Sequence, residues 1–404
     1  MNGAPIAPVL LLTPRWPTAG TAARSGLIAY AENAAAGLAA AGVPVEVLAF
    51  AERDRALPAR SVEAGRVIHR ANLGWVRIAS RVAPGIVSGH RLLDLVRRVM
   101  AGRRFLAVEV PNFEGIGWAV ARAIPEGWLR LHTPHWDGFA TGAPPRRHHD
   151  RVVRALDRYT ARRMPHLITH SEAHAAAMRH ECRLGDRPIH VVPHGVPDPG
   201  LQPPDAVEPG RILAIGPLDR RKGADLLLEA FLRLAPQHPG LSLTIVGPVD
   251  DPGIRERIAG LDPAMATRIE LPGRLPDAEL ATWWHRAAIV VAASRYESFG
   301  LVAAEAMARG IPTVVSSTPA LVEVVGDAGV VFPAGNADGL ASALNALLAD
   351  PTRQDHLRRL GRARFEERFG IEAMGRGMLA AFTGSLDRSH MERGAVLAGP
   401  RPSS

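Results

Sequence analysis

Residues 211–247 read RILAIGPLDRRKGADLLLEAFLRLAPQHPGLSLTIVG. Arg211 to Ile215 is a short β-rich apolar run, and a loop punctuated by glycine and proline follows from Gly216 to Gly223. The pattern then predicts a helix over Gly223 to Leu234 and a second strand over Leu241 to Val246. Strand, helix and strand in that order form the building unit of a parallel sheet. The same alternation extends in both directions. Towards the carboxyl end it predicts strands Ile269 to Leu271, Ala288 to Ala293 and Thr313 to Ser316, with helices Asp277 to Arg286 and Phe299 to Ala308 between them. Towards the amino end it predicts strand Pro8 to Leu12, helix Leu27 to Ala41 closed by Gly42, and strand Val43 to Phe50. Strands at Phe105 to Val110, Leu129 to His132, Leu167 to Thr169 and His190 to Val192 complete that half.

Between the two series lies the densest Pro/Gly run of the chain, Pro193 to Pro204, which reads as an interdomain linker. We therefore expect two Rossmann-like α/β domains facing each other across a cleft. The expected divisions are residues 1–195, a linker over 196–210, a second domain over 211–370, a helix over 371–386 returning to the first domain, and a disordered tail over 387–404.

A chain of 404 residues exceeds one ordinary core. Its one cysteine, Cys182, excludes an intramolecular disulfide and a cysteine-built zinc site. The first apolar run has no basic segment ahead of it and reads as a strand rather than a signal peptide, and no apolar stretch reaches membrane-spanning length. These readings lead us to expect a cytoplasmic protein. The net charge of +8 is concentrated between Arg66 and Arg104, where Asp94 is the only acid. A peripheral contact with the inner face of an anionic membrane and an ordinary solvated basic face both stay open there. No zinc-ligand cluster, recognition-helix pattern or aromatic-interleaved basic strand points to nucleic acid.

Among the 48 lysines and arginines there is one lysine, Lys222, and it stands in the loop that opens the helix of the quoted stretch. Lysine is a compact, flexible point charge where arginine is a planar fork. In open parallel sheets ligands bind beyond the carboxyl ends of the strands, where helix N-termini present free N–H groups. Arg220, Arg221 and Lys222 adjoin one another ahead of such a helix, and a phosphate or diphosphate is their natural counter-ion. A second loop, Ser294 to Leu301, opens the Ala-rich helix that carries Glu305. A carboxylate there is costly to bury without a partner, and two vicinal hydroxyls would satisfy it.

The run from Glu297 to Pro312, ESFGLVAAEAMARGIP, resembles the paired-glutamate signature of retaining glycosyltransferases of family 4, which have the GT-B fold. Gly216 to Phe231 is similar to the family's donor-phosphate loop and helix, and Lys222 falls on its phosphate-binding lysine. Val191 to Val196, Leu243 to Gly247, Leu271 to Leu275 and His170-Ser171-Glu172 follow in family order. The resemblance implies a nucleotide-sugar donor on the second domain and an unknown sugar or lipid-linked acceptor. It assigns Lys222 to the diphosphate, with Gly216 and Arg221 beside it, and Glu305 to the ribose hydroxyls. It assigns Glu297 to a hydroxyl of the transferred sugar, and Ser298, Phe299, Gly300 and Leu301 to sugar and phosphate. Gly273 and Arg274 border the base, Gly26 approaches the phosphate from the first domain, and His132 stands near the reacting carbon. Lys222, Glu297 and His132 are thus the expected catalytic residues.

The chain departs from the family at three points. Pro217 stands where the family has an arginine, Ser317-Thr318-Pro319-Ala320 where it has a Gly-Gly pair, and Ser25 where it has the first glycine of the amino-terminal loop. The implied reaction retains anomeric configuration by front-face attack and needs no metal or other cofactor. Three rivals stay open: a metal-dependent transferase using Asp250-Asp251, a sugar-nucleotide epimerase of the same fold, and a non-catalytic sugar-binding protein. Candidate acceptor elements are Pro14-Arg15-Trp16, Glu109 to Gly115 and His135-Trp136-Asp137.

Overall fold

A computed structural model describes residues 6–17, 26–52, 54, 56–73, 85–134, 148–217, 219–248 and 251–397, with side chains described as far as residue 384. The carboxyl-half strands are β9 Arg211–Ile215, β10 Ser242–Val246, β11 Ile269–Gly273, β12 Ile289–Ala292, β13 Thr313–Ser316 and β14 Val330–Phe332. They form one sheet in the order β11-β10-β9-β12-β13-β14, parallel throughout. Numbered within the sheet, that is the 3-2-1-4-5-6 order of a Rossmann domain. Chain order reverses between β9 and β12, so the loops leaving these two strands open side by side. Both are the loops expected to carry the chemistry.

The amino-half strands are β1 Val9–Thr13, β2 Val45–Ala49, β3 Arg60–Glu63, β4 Arg66–Arg70, β5 Ala107–Pro111, β6 Gly127–Arg130, β7 His166–Thr169 and β8 His190–Val191. Their order is β3-β4-β2-β1-β5-β6-β7-β8, with only the edge strand β3 antiparallel. β1, β2 and β5 are buried along their whole length, the signature of a parallel sheet covered on both faces. Strands β3 and β4 and the helix Ile86–Met100 were not expected from the sequence. They fall within or just before the arginine-rich stretch, where Arg60-Ser61-Val62-Glu63 and Arg66-Val67-Ile68-His69-Arg70 offer too few apolar residues for a periodic signal.

Two segments cross between the halves. The first contains Val196, whose N–H donates to the Phe369 carbonyl at 2.7 Å, and Val196 bridges Gly370 of the second crossing. The linker region continues along the carboxyl domain: Gln202 is buried, and its amide donates to the carbonyls of Trp284, His285 and Ala287. After the second crossing, the helix Ile371–Leu397 lies against the amino-domain helix Gly26–Ala40. The approach is backbone to backbone, since a Cβ on Gly375 would stand 1.9 Å from the Gly37 carbonyl oxygen. Phe382 of the same helix is buried against Trp128. The helix is described as far as Leu397.

Candidate functional site

The strand β9 ends in Gly216 and β12 leads into Ala293-Ser294, and two close backbone approaches lock the loops that follow. At Gly223 φ is +72°, and a Cβ would meet the Ala293 carbonyl oxygen at 2.1 Å. At Gly247, after β10, φ is +154° and a Cβ would stand 2.0 Å from the Gly216 carbonyl oxygen. Only glycine suits the first site on both conformational and steric grounds. The Lys222 loop is thereby pressed against the Ser294–Gly300 loop.

Side chains then fasten the two loops together. The Lys222 Nζ donates to Glu297 Oε1, and the Ser294 hydroxyl donates to the same oxygen at 2.9 Å. The Lys222 backbone N–H donates to the Asp219 carboxylate at 2.7 Å, which turns the chain into the helix Ala224–Leu234. Arg295 grips Asp225 through two parallel bonds of 2.7 and 2.8 Å, and its N–H donates to the Arg221 carbonyl at 2.8 Å. Beneath the second loop, the hydroxyls of Ser316 and Thr318 both donate to the Ser294 carbonyl, at 2.6 and 2.7 Å. The segment that lacks the Gly-Gly pair thus supports the loop from below. A small cavity between the two loops is lined by Gly216, Pro217, Lys222, Ser294, Glu297 and Val302.

The cations of the first loop are better compensated than their spacing implied. Arg221 lies 3.5 Å from Asp219, Lys222 pairs with Glu297, and Arg220 is exposed. Gly300, with φ +113°, caps the helix Leu301–Ala308, which begins two residues later than expected. Phe299 is buried, and Ser298 and Leu301 are half-buried on either side of the helix entry. Glu305 sits on the same helix and is half-buried. Burial pushes its carboxyl up to about 7, with the Arg309 charge acting in the opposite direction and Asp277 adding to the rise. Gly273, with φ +76°, accepts the Gly247 N–H at 2.9 Å, and Arg274 beside it is exposed.

Across the cleft, His132, His170 and His194 follow the ends of β6, β7 and β8, three neighbouring strands. The His132 backbone is clamped by Asn112, which accepts its N–H at 2.7 Å and donates to its carbonyl at 2.9 Å. The Tyr30 ring meets His132, His170 and His194 edge-on at 5.0–5.6 Å between centroids. Its hydroxyl donates to Glu109, which Arg130 holds at 3.0 Å, all three being buried. Burial of this polar group pushes the phenol well above its usual range. Glu109, expected among the acceptor elements, is therefore a core residue. Trp16 is likewise buried in the amino-domain core, so its ring is not offered to a sugar face.

The amino-terminal end of the helix Glu172–Cys182 joins the two domains. The Ser171 hydroxyl donates to the Ser298 carbonyl at 2.8 Å, and His174 Nδ1 lies 2.8 Å from the Tyr296 hydroxyl. Glu323 accepts the N–H groups of Glu172 and Ala173 at 2.9 and 3.0 Å. These bonds tie the Ser294–Gly300 loop and Glu323 to the amino domain beside the histidine layer. Burial holds His170 well below the usual imidazole range and lowers His174 to about 4 and His194 to about 3.

Lys222, Glu297, Gly216, Ser298, Phe299, Gly300 and Leu301 are thus brought together at the β9/β12 junction, with Arg221 and Glu305 flanking it. Gly26 is exposed at the start of its helix. Ser25, Trp136 and Asp250 lie outside the described residues. Asp251 caps a helix by accepting the Gly253 N–H at 2.9 Å, a role that occupies the carboxylate proposed for a metal. The arginine-rich stretch is not one uniform cationic face: Arg70 is buried on Glu63, and Arg103 pairs with Glu46. Sequence reading assigned no role to Asp219, Arg295, Asp225, Ser171, His174 or Tyr296. Only Asp219, three residues before Lys222, carried a local signal, that of a side chain capping a turn.

Residues 24–198 match the family model described as Glycosyltransferase Family 4, and residues 209–350 match that of Glycosyl transferases group 1. The chain belongs to this family. Among its relatives is the MMP alpha-(1->4)-mannosyltransferase of Mycolicibacterium hassiacum, 32% identical over 58% of this chain. That alignment spans only 57% of the relative's length. The D-inositol 3-phosphate glycosyltransferase of Segniliparus rotundus is 26% identical over 98% of this chain and 91% of its own. Sucrose-phosphate synthase from Thermosynechococcus elongatus shares the fold at a TM-score of 0.73 and 22% identity, covering 97% of this chain and all of its own. The family 4 chain therefore has the expected GT-B architecture. Among its described residues no helix is long and apolar enough to cross a membrane.

Proposed function

We propose that this family 4 chain is a retaining glycosyltransferase that moves a sugar from a nucleotide-diphosphate donor to an acceptor hydroxyl in glycan, glycolipid or glycoconjugate biosynthesis. One observation carries the reading: the only lysine of the chain and Glu297 meet where the carboxyl-domain sheet reverses its order. Donor diphosphate binds Lys222 and Arg221 in place of part of their present carboxylate pairing. The Phe299, Gly300 and Leu301 amides point to the same charge at the helix entry. Glu305 accepts the ribose hydroxyls. Glu297, released from Lys222, positions a hydroxyl of the sugar.

In the reaction the bond from the anomeric carbon to the diphosphate oxygen breaks. The bond to the acceptor oxygen forms on the same face, and the acceptor proton passes to the departing phosphate. Lys222 and the amides stabilise the charge that develops on the leaving group, the role of a preorganised electrostatic site. His132 faces the reacting carbon from the other domain. Cationic side chains and amides take the place of a metal ion in this design.

The relatives' printed names, a mannosyltransferase and an inositol-phosphate glycosyltransferase, support hexosyl transfer. A lipid-linked acceptor is supported by the helix Ile86–Met100, where Ile86 and Val87 are exposed together with Arg91, Arg97 and Arg98. The deciding experiment incubates the protein with UDP-, GDP- and ADP-sugars and a panel of acceptors, with and without excess EDTA. Acceptor-dependent nucleotide release, undiminished by EDTA and giving a product of retained anomeric configuration, is the expected result. An inverted product, or release that EDTA abolishes, contradicts the mechanism. Turnover of the sugar nucleotide without an acceptor favours the epimerase.

A further inference from the structure

We infer that His132, His170 and His194 form a binding site for a borderline divalent transition metal, of the zinc, nickel or copper(II) class. Three neighbouring parallel strands, β6, β7 and β8, each lead into one of these histidines, so the fold delivers three imidazoles to one point. One nitrogen from each ring can be chosen so that all three lie within 4.8 Å of one another. His170 and His194 are 1% and 5% exposed, and the Nδ1 of each is buried with no hydrogen-bond partner among the described residues. The Nδ1 of His194 is the orphan that a metal bond would satisfy, since His170 meets His132 through its Nε2. Neutral imidazole is a good ligand for this class of metal and a poor one for magnesium or calcium.

The geometry sets the terms of binding. A tetrahedral ion holds its nitrogens roughly 3.3 Å apart, given bonds of about 2.0 Å. The His132 Nδ1 and His170 Nε2 stand at 3.1 Å as a hydrogen-bonded pair, and an ion between them takes the place of that bond, with the proton moved to the far nitrogen of the donor ring. His170 and His194 stack with centroids 3.8 Å apart and planes 15° apart, so His194 must turn about its ring torsion for its lone pair to converge on the ion. That torsion is soft. Arg130 donates to the Thr169 carbonyl immediately before His170, and its charge opposes a cation nearby, while Glu109 offsets it. Three neutral ligands beside a compensated arginine make a site of moderate affinity. On the reading above, ligation of His132 also withdraws it from the cleft, so the ion acts as an inhibitor and not as a cofactor.

Binding alone tests the site, without any assay of glycosyl transfer. Zinc chloride is titrated into the full chain by calorimetry, with cobalt(II) absorption as a second readout of coordination. The expected result is one equivalent bound with a dissociation constant on the order of 10 μM or tighter, and a cobalt spectrum of nitrogen ligation. His194→Asn and His170→Asn should each weaken that equivalent by about tenfold or more. The surface control His238→Ala should leave it unchanged. Circular dichroism confirms that the variants are folded. Absence of a zinc equivalent tighter than about 1 mM in the unaltered protein overturns the proposal. So does binding that survives in both folded asparagine variants.

Discussion

Lys222 and Glu297, 75 residues apart in sequence, make a direct ion pair between the loops that leave β9 and β12. Opposite charges held together in the free protein are a reservoir that an incoming anion can tap. On the proposed function, a donor diphosphate would compete with Glu297 for the ammonium, and the freed carboxylate would turn to the sugar. Lys222→Ala is expected to lower kcat/KM by roughly 2–4 kcal/mol of transition-state stabilisation. Lys222→Arg should recover little of it, because the planar fork cannot take the place of a point charge in this cavity. Steady-state kinetics on both variants check this, and normal turnover in the alanine variant would remove Lys222 from the mechanism.

The His174–Tyr296 bond predicts a different kind of defect. Tyr296→Phe keeps the ring and deletes one bond across the cleft, with an expected loss of about 0.5–1.5 kcal/mol. We expect it to appear in kcat more than in the KM for donor, since the loop still binds but is no longer held in register with His132. A double-mutant cycle with His174→Ala should show coupling between the two positions. Strict additivity would mean that the bond carries nothing.

If Glu305 accepts the ribose hydroxyls as proposed, donor binding is expected to depend on pH. Its carboxyl, about 7 when folded against an ordinary 4.5, is raised, so the neutral form is the one the fold favours. Stability from this group is full below 4.5, is lost as the pH rises from 4.5 to about 7, and levels off above. Ribose hydroxyls donate to the ionised form and pull the value back down. Donor binding at pH 6 should therefore release a proton, visible as a dependence of the calorimetric heat on buffer ionisation enthalpy. Glu305→Gln should abolish that dependence and flatten the stability curve. Proton uptake on binding would contradict the assignment.

Gly375→Ala tests the packing of the last helix. The added methyl would meet the Gly37 carbonyl at 1.9 Å, backbone against backbone, so one of the two helices must shift. A destabilisation of about 1–3 kcal/mol is expected, read as a fall in the unfolding midpoint. An unchanged midpoint would show that the crossing is loose.

Much of this was legible in the chain itself, and the limits have physical causes. The β9–loop–helix–β10 unit announced itself because buried parallel strands and an amphipathic helix differ in period and because glycines mark their ends. Lys222, Glu297 and Glu305 were found through a local signature in which spacing and neighbours both matter. The strands β3 and β4 were not, since strands of four and five residues beginning and ending in charged side chains have no period to detect. The joints Ser171–Ser298 and His174–Tyr296 connect residues 127 and 122 positions apart. Ser298 and the His170-Ser171-Glu172 run were marked locally, but nothing local showed which residues they meet, and only the folded chain brings the partners together. The same holds for the histidine layer, whose members looked like three unrelated strand ends.

The neighbouring crossings at Val196 and Phe369-Gly370 constrain how the two halves can move. Two polypeptide passages spaced far apart would fasten the halves rigidly, and a single one would leave them free to swivel in any direction. Here the two run side by side, tied by a hydrogen bond of 2.7 Å. They behave like adjacent knuckles on one pin, and rotation about a line through the pair is expected to require breaking the Ser171–Ser298, His174–Tyr296 and Glu323 bonds on the cleft side. Because both knuckles are covalent, cleavage of the Pro-rich passage alone would nick the chain without parting the halves.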